Sequence, residues 1–82
     1  MSDDGFKYEI KKHIGILSKY GTIGYPIEVN LISYRGTTPK IDIRRWNRET
    51  SRMTGKGIAL SEDEARALMS MLQKEFKERD AV

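Results

Sequence analysis

Ile41-Asp42-Ile43-Arg44-Arg45-Trp46 and, beyond a polar stretch, Lys56-Gly57-Ile58-Ala59-Leu60-Ser61-Glu62-Asp63-Glu64 are the two segments whose reading decides the fold. In the first, Ile41 and Ile43 alternate with Asp42, Arg44 and Trp46. Successive strand side chains project to opposite faces, so this is a strand with Arg44 and Trp46 on the same side. In the second, a short apolar run suited to a strand gives way at once to a helix start. Ser61 with Glu64 forms a capping box, Glu62 and Asp63 suit the positive end of the helix dipole, and Ala65, Leu68, Met69, Leu72 and Phe76 recur at helical spacing. The helix is expected over residues 61–79, its regular part reaching about Lys77.

Outward from these segments, Ile27, Val29 and Leu31 alternate with Glu28, Asn30 and Ile32, giving a strand that runs to Tyr34 before Gly36-Thr37-Thr38-Pro39 breaks it. Tyr8 to Ser18 favours an extended segment with Ile14 and Ile16 on one side, and Gly21 to Pro26 marks a turn. Asn47 to Gly55 is polar, basic and aperiodic, so it is expected as a loop, with Lys56 to Leu60 as the fourth strand. The expectation is an α+β fold: a four-stranded antiparallel twisted sheet followed by one C-terminal helix, which covers one sheet face and leaves the other free. The 82 residues form one domain, with residues 1–6 a flexible, acidic N-terminus. Ala67 and Met71 widen the apolar stripe of the helix beyond what one sheet face needs. Leu68, Met71 and Leu72 are therefore assigned to a homodimer interface.

Charge is unevenly placed. Residues 1–60 carry eleven Lys/Arg against six Asp/Glu, whereas residues 61–82 carry four against six. Arg35 to Lys56 holds seven of the fifteen basic residues, two acids and the single tryptophan, so the basic part is expected to meet a polyanion and the acidic helix to turn away from it. Cysteine is absent, which removes thiol nucleophiles, disulfides and cysteine-ligated zinc. No apolar run suggests a membrane span or signal peptide, and a cytoplasmic location, nucleoid-associated in a bacterium, is expected. Gly55-Lys56-Gly57 lacks the longer spacing and direct helix of a nucleotide-binding P-loop. Asp42, Glu49 and Glu28 could hold magnesium for a nuclease, but carboxylates among arginines read more simply as charge partners. The expectations are no enzyme activity, no metal, no cofactor and no small-molecule substrate. His13 reads as a strand surface residue.

Ile41 to Trp46, the basic loop ending in Met53, and Lys56 to Ser61 leading into a helix resemble the single-stranded-DNA-binding domain of the positive cofactor four family of transcriptional coactivators, and most closely its small bacterial members. The resemblance covers about Tyr8 to Phe76. It implies a twisted four-stranded sheet plus helix, a symmetric homodimer, and binding of single-stranded DNA with little sequence preference. By position Tyr34 resembles the family's stacking aromatic, Arg44 its strand-three arginine and Lys56 the lysine before Gly57; Tyr25 and Trp46 fall at aromatic positions of bacterial members. The sequence departs at Glu28 and Ile32, which are poor phosphate ligands, and lacks the Ser-rich tail of the eukaryotic coactivator.

The candidate nucleic-acid contacts are thus Tyr25, Tyr34, Arg35, Lys40, Arg44, Arg45, Trp46, Arg48, Arg52 and Lys56. Cations neutralise phosphates while exposed aromatic faces accept unstacked bases. Trp46 is assigned to the open face because burying it would bury Arg44 as well, at a desolvation penalty. The alternatives are an RNA-binding protein, since stacking tolerates both sugars, and a protein-interaction module that uses the helix stripe. The expected process is one that exposes single strands: transcription, replication or repair.

Overall fold

The computed structural model describes residues 7–17 and 25–81. Four strands, β1 (Tyr8–Ile16), β2 (Ile27–Tyr34), β3 (Lys40–Asn47) and β4 (Arg52–Leu60), precede one helix, α1 (Glu62–Asp80). The strands form a single antiparallel sheet in the order β1-β2-β3-β4. The β-β-β-β-α architecture is therefore present as expected. The N-terminus at 1–6 and most of the turn assigned to Gly21–Pro26 lie outside the described residues.

Turn chemistry closes each described hairpin. Between β2 and β3, Arg35 (φ 52°) and Gly36 (φ 75°) are both left-handed, and the Thr37 N–H donates to Tyr34 O at 3.0 Å, the geometry that matches strand twist in a tight hairpin. Between β3 and β4, Asn47 Oδ1 accepts from the N–H groups of Glu49 (2.9 Å) and Thr50 (3.2 Å), and Ser51 (φ 57°) completes the reversal. This tight turn corrects the expected loop over Asn47–Gly55. Arg52 and Met53 pair with Asn47 and Trp46, and the irregularity is confined to Thr54–Lys56, where β4 carries extra residues against β3. A bulge looks aperiodic in sequence yet keeps the strand paired on both sides. Gly57 lies opposite Arg44, and a Cβ there would fall 2.6 Å from both Arg44 Cβ and Ile43 O; only glycine permits this approach.

The sheet is strongly curled. Tyr8 pairs with Tyr34 at one end of β2, whereas the Trp46 N–H donates to Pro26 O just before the other end. Eight residues of flat strand span about 26 Å, yet the Tyr8 and Trp46 rings are 6.2 Å apart in an edge-on arrangement. Bulges in β1 between Ile10 and Lys12 and between His13 and Gly15 help it bend. The curl creates a concave face formed by Tyr8, Ile10 and His13 of β1, Glu28, Asn30, Ile32 and Tyr34 of β2, and Asp42, Arg44 and Trp46 of β3. The buried apolar side chains among the described residues, Ile32 and Trp46, both lie there.

The capping box forms as expected: Ser61 Oγ accepts from the Glu64 N–H (3.1 Å) and Glu64 Oε1 from the Ser61 N–H (2.8 Å). Those bonds hold the Glu64 carboxyl below its ordinary pKa. The helix does not cover a sheet face as expected. Its first two turns meet the convex side, leaving a groove of about 320 Å³ lined by Leu31, Pro39, Ile41, Ala65 and Met69, and none of its residues is buried. Leu68, Met69, Leu72 and Phe76 are exposed, and Met71 is 68% so. The Cα radius of gyration is 15.0 Å, against about 12 Å for a compact chain of this length. No described helix is long and apolar enough to cross a membrane.

Candidate nucleic-acid interface

The concave face is organised around Asp42, which is 0% exposed. Its carboxylate accepts from Arg44 Nε at 3.0 and 3.2 Å, from Arg44 Nη2 at 3.0 Å, and from the Tyr34 hydroxyl. Arg44 Nη1 donates in turn to Thr54 O at 3.1 Å, reaching the β4 bulge, and the Arg44 side chain is left 14% exposed. Burial first, then the hydrogen bond to Asp42, pushes the Tyr34 phenol up to about 12. The bonds to Asp42 likewise raise Arg44 above the ordinary arginine value, against the opposing effect of burial.

A second buried acid stands further along the same face. Glu28 Oε2 lies 2.8 Å from Arg48 Nη2, and Glu28 Oε1 lies 3.8 Å from His13 Nδ1. His13 Nδ1 also meets Asn30 Oδ1 at 2.8 Å, and Asn30 Nδ2 is buried with no protein partner. His13 is exposed on β1, as expected of a strand surface residue, and its ring also joins this polar cluster.

These contacts sort the expected site residues. Tyr34 and Arg44 converge on Asp42, and Arg48 is drawn to Glu28. Trp46 is 6% exposed, so the open ring expected of it is not presented. The part of the face around Asp42 and Trp46 is buried after all, because Asp42 neutralises Arg44 and curling brings Tyr8 against the indole, while Ile10 and His13 of the same face stay exposed. The Trp46 Nε1 has no hydrogen-bond partner among the described residues. Arg45 pairs with Ile27 on the opposite face, and its Nη1 donates to Tyr25 O at 2.6 Å. Tyr25 is 39% exposed, and its hydroxyl accepts from Asn47 Nδ2 at 3.2 Å. Arg35 occupies the β2–β3 turn, bordering with Lys7 and Tyr8 a cleft of about 430 Å³. Lys40 and Arg52 are exposed at opposite ends of the sheet, and Lys56 is exposed on the bulge, its N–H donating to Thr54 Oγ1 at 3.1 Å. Tyr8, Thr54 and Asn30 are members that sequence reasoning missed. Only Tyr8 carried a signal, an aromatic at the start of an edge strand.

A curled four-stranded sheet followed by one helix, with aromatics and paired arginines on its concave side and cations around its rim, defines the class. The family model for Transcriptional Coactivator p15 (PC4) matches residues 23–71, more than half of the chain. An uncharacterised protein of Treponema pallidum (strain Nichols) is 40% identical over 70 residues, covering 85% of this chain and 80% of that one. The chain belongs to the PC4 family.

Proposed function

We propose that this protein is a homodimeric, non-catalytic, single-stranded-DNA-binding protein of low sequence specificity, serving a process that exposes single strands. The observation that carries the reading is the concave face itself. Tyr8 and Tyr34 sit side by side at one end of it, and exposed cations stand at Lys40 on the same face, at Lys56 on the β4 bulge and at Arg52, opposite Asn47 at the far end of the sheet. Unpaired bases stack on such aromatics where a duplex, its π-faces already stacked, finds no partner. The phosphates then meet the rim cations and the Lys7–Arg35 cleft.

The buried acids shape this reading. Asp42 and Glu28 already neutralise Arg44 and Arg48, so the phosphate ligands of first rank are Lys40, Arg52 and Lys56. Homodimerisation is supported by the helix. A 19-residue helix with no buried residue lacks the packing that stabilises helices in proteins, and a second copy laid on Leu68, Met71, Leu72 and Phe76 supplies it.

The test is a titration of end-labelled oligo(dT) and of matched duplex, followed by anisotropy. Binding of oligo(dT) at least tenfold tighter than duplex at the same salt is expected. Equal affinity for both would reduce the protein to a general polycation.

A further inference from the structure

The geometry points to Asp42 as the positioning residue of the interface: one buried carboxylate that aims the Tyr34 ring into the concave cleft and, through Arg44, anchors the β4 bulge that carries Lys56. This rests on the single-strand reading above. Strand side chains ordinarily stand perpendicular to the sheet. Tyr34 follows Ile32, the partner of Lys40, by two residues, so Asp42 lies four residues along β3 from the position facing Tyr34, about 13 Å away. The Tyr34 hydroxyl nevertheless bonds Asp42, so the ring leans down the concave face instead of standing up from it. A ring laid along the sheet presents its π-face to the cleft, the orientation on which a base stacks.

From the same carboxylate a continuous chain of bonds runs the other way. Arg44 gives Asp42 its Nε and Nη2 and gives Thr54 O its Nη1; Thr54 Oγ1 donates to Arg45 O at 2.9 Å and accepts the Lys56 N–H. Arg44 thereby pins an irregular part of β4 to β3 where the ladder bonds are interrupted. Its guanidinium is turned inward, and it acts through Thr54 and Tyr34 without meeting a phosphate itself. Pairing with Asp42 also leaves the pair neutral overall, so arginine on this face adds order to the site without adding to its charge.

The experiment compares Tyr34→Phe, Asp42→Asn, the double variant and Arg44→Ala by oligo(dT) binding over a range of salt, with circular dichroism as folding control. Tyr34→Phe leaves the Asp42–Arg44 pair intact and so keeps the test valid if the Asp42 variant does not fold. Each of the Tyr34 and Asp42 variants is expected to weaken binding about three- to tenfold, the loss of one positioning hydrogen bond. The double variant should lose no more than the worse single one. The salt slope should stay at the wild-type value in Tyr34→Phe and in Arg44→Ala, whereas removal of a phosphate ligand lowers it by about 0.7; Asp42→Asn, which frees the Arg44 charge from its partner, should not lower it. A purely structural role is separated by titrating the phenols at high pH: in folded Asp42→Asn the most resistant tyrosine should titrate earlier. Wild-type affinity in Tyr34→Phe, or a slope lowered by about 0.7 in Arg44→Ala, overturns the proposal. If the wild type does not bind oligo(dT), the single-strand reading fails, and an unmoved phenol titration in Asp42→Asn then overturns the Asp42–Tyr34 tether separately.

Discussion

Replacing Trp46 by alanine distinguishes an indole that packs the concave face from one that stacks on bases. An exposed stacking tryptophan would leave the fold intact when removed and cost about 1–3 kcal/mol of binding. At 6% exposure, with Tyr8 against its edge, Trp46 is instead one of the two buried apolar side chains of the described residues. Truncating a buried tryptophan to alanine costs about 3–5 kcal/mol, and a chain of this length has roughly 4–12 kcal/mol of stability in all. Trp46→Ala is therefore expected to lose about 3–5 kcal/mol, a large fraction of the total, by urea denaturation followed with circular dichroism at fixed protein concentration. Trp46→Phe should fare much better, because it keeps an aromatic ring in place and the indole Nε1 that it removes makes no hydrogen bond among the described residues. The native indole should also emit at short wavelength and resist aqueous quenchers. A Trp46→Ala protein with wild-type stability and weakened oligo(dT) binding would refute the burial argument.

Gly57→Ala should destabilise by about 1–3 kcal/mol in urea, since its Cβ would meet β3 backbone 2.6 Å away, which cannot yield as a flexible side chain would; unchanged stability would mean that the strands part easily at the bulge. Tyr34 predicts a pH dependence: its phenol is protonated in both folded and unfolded chains below pH 10, but between 10 and about 12 only the unfolded chain ionises. Stability should therefore fall across that window, and thermal melts of Tyr34→Phe should lack this part of the fall. Met71→Glu places a charge on the most exposed large apolar residue of α1 and should shift sedimentation from twice 9.5 kDa towards the single-chain mass; an unchanged dimer would move the interface off this edge of the helix.

The fold was legible where local chemistry is one-sided. The alternation through Ile41 and Ile43, the capping box of Ser61 and Glu64, and the break at Gly36 each admit one structural meaning, and each is where it was expected. The early start of β4 was not legible, because Thr54 to Lys56 form a bulge whose extra residues erase the period-two pattern. The site was legible in its residue types and less so in its geometry. Asp42 and Glu28 were readable as charge partners of nearby arginines, and they are. The burial of Trp46 was not legible because Arg44 on the same face looks like an unpaired charge, although Asp42, two residues away, removes that penalty. Tyr8 was invisible for a different reason: only the curl of the whole sheet brings it to Trp46.

The salt dependence of oligo(dT) binding reports whether the rim cations hold phosphates. Rim cations that meet about four to six phosphates predict that log K falls against log salt with a slope of roughly −3 to −4, at about −0.7 per contact for single strands. Lys56→Ala, which removes an exposed cation that holds no structural bond through its side chain, should bring the slope about 0.7 closer to zero with the fold unchanged. A wild-type slope near zero, or binding too weak to measure even at low salt, would contradict the account.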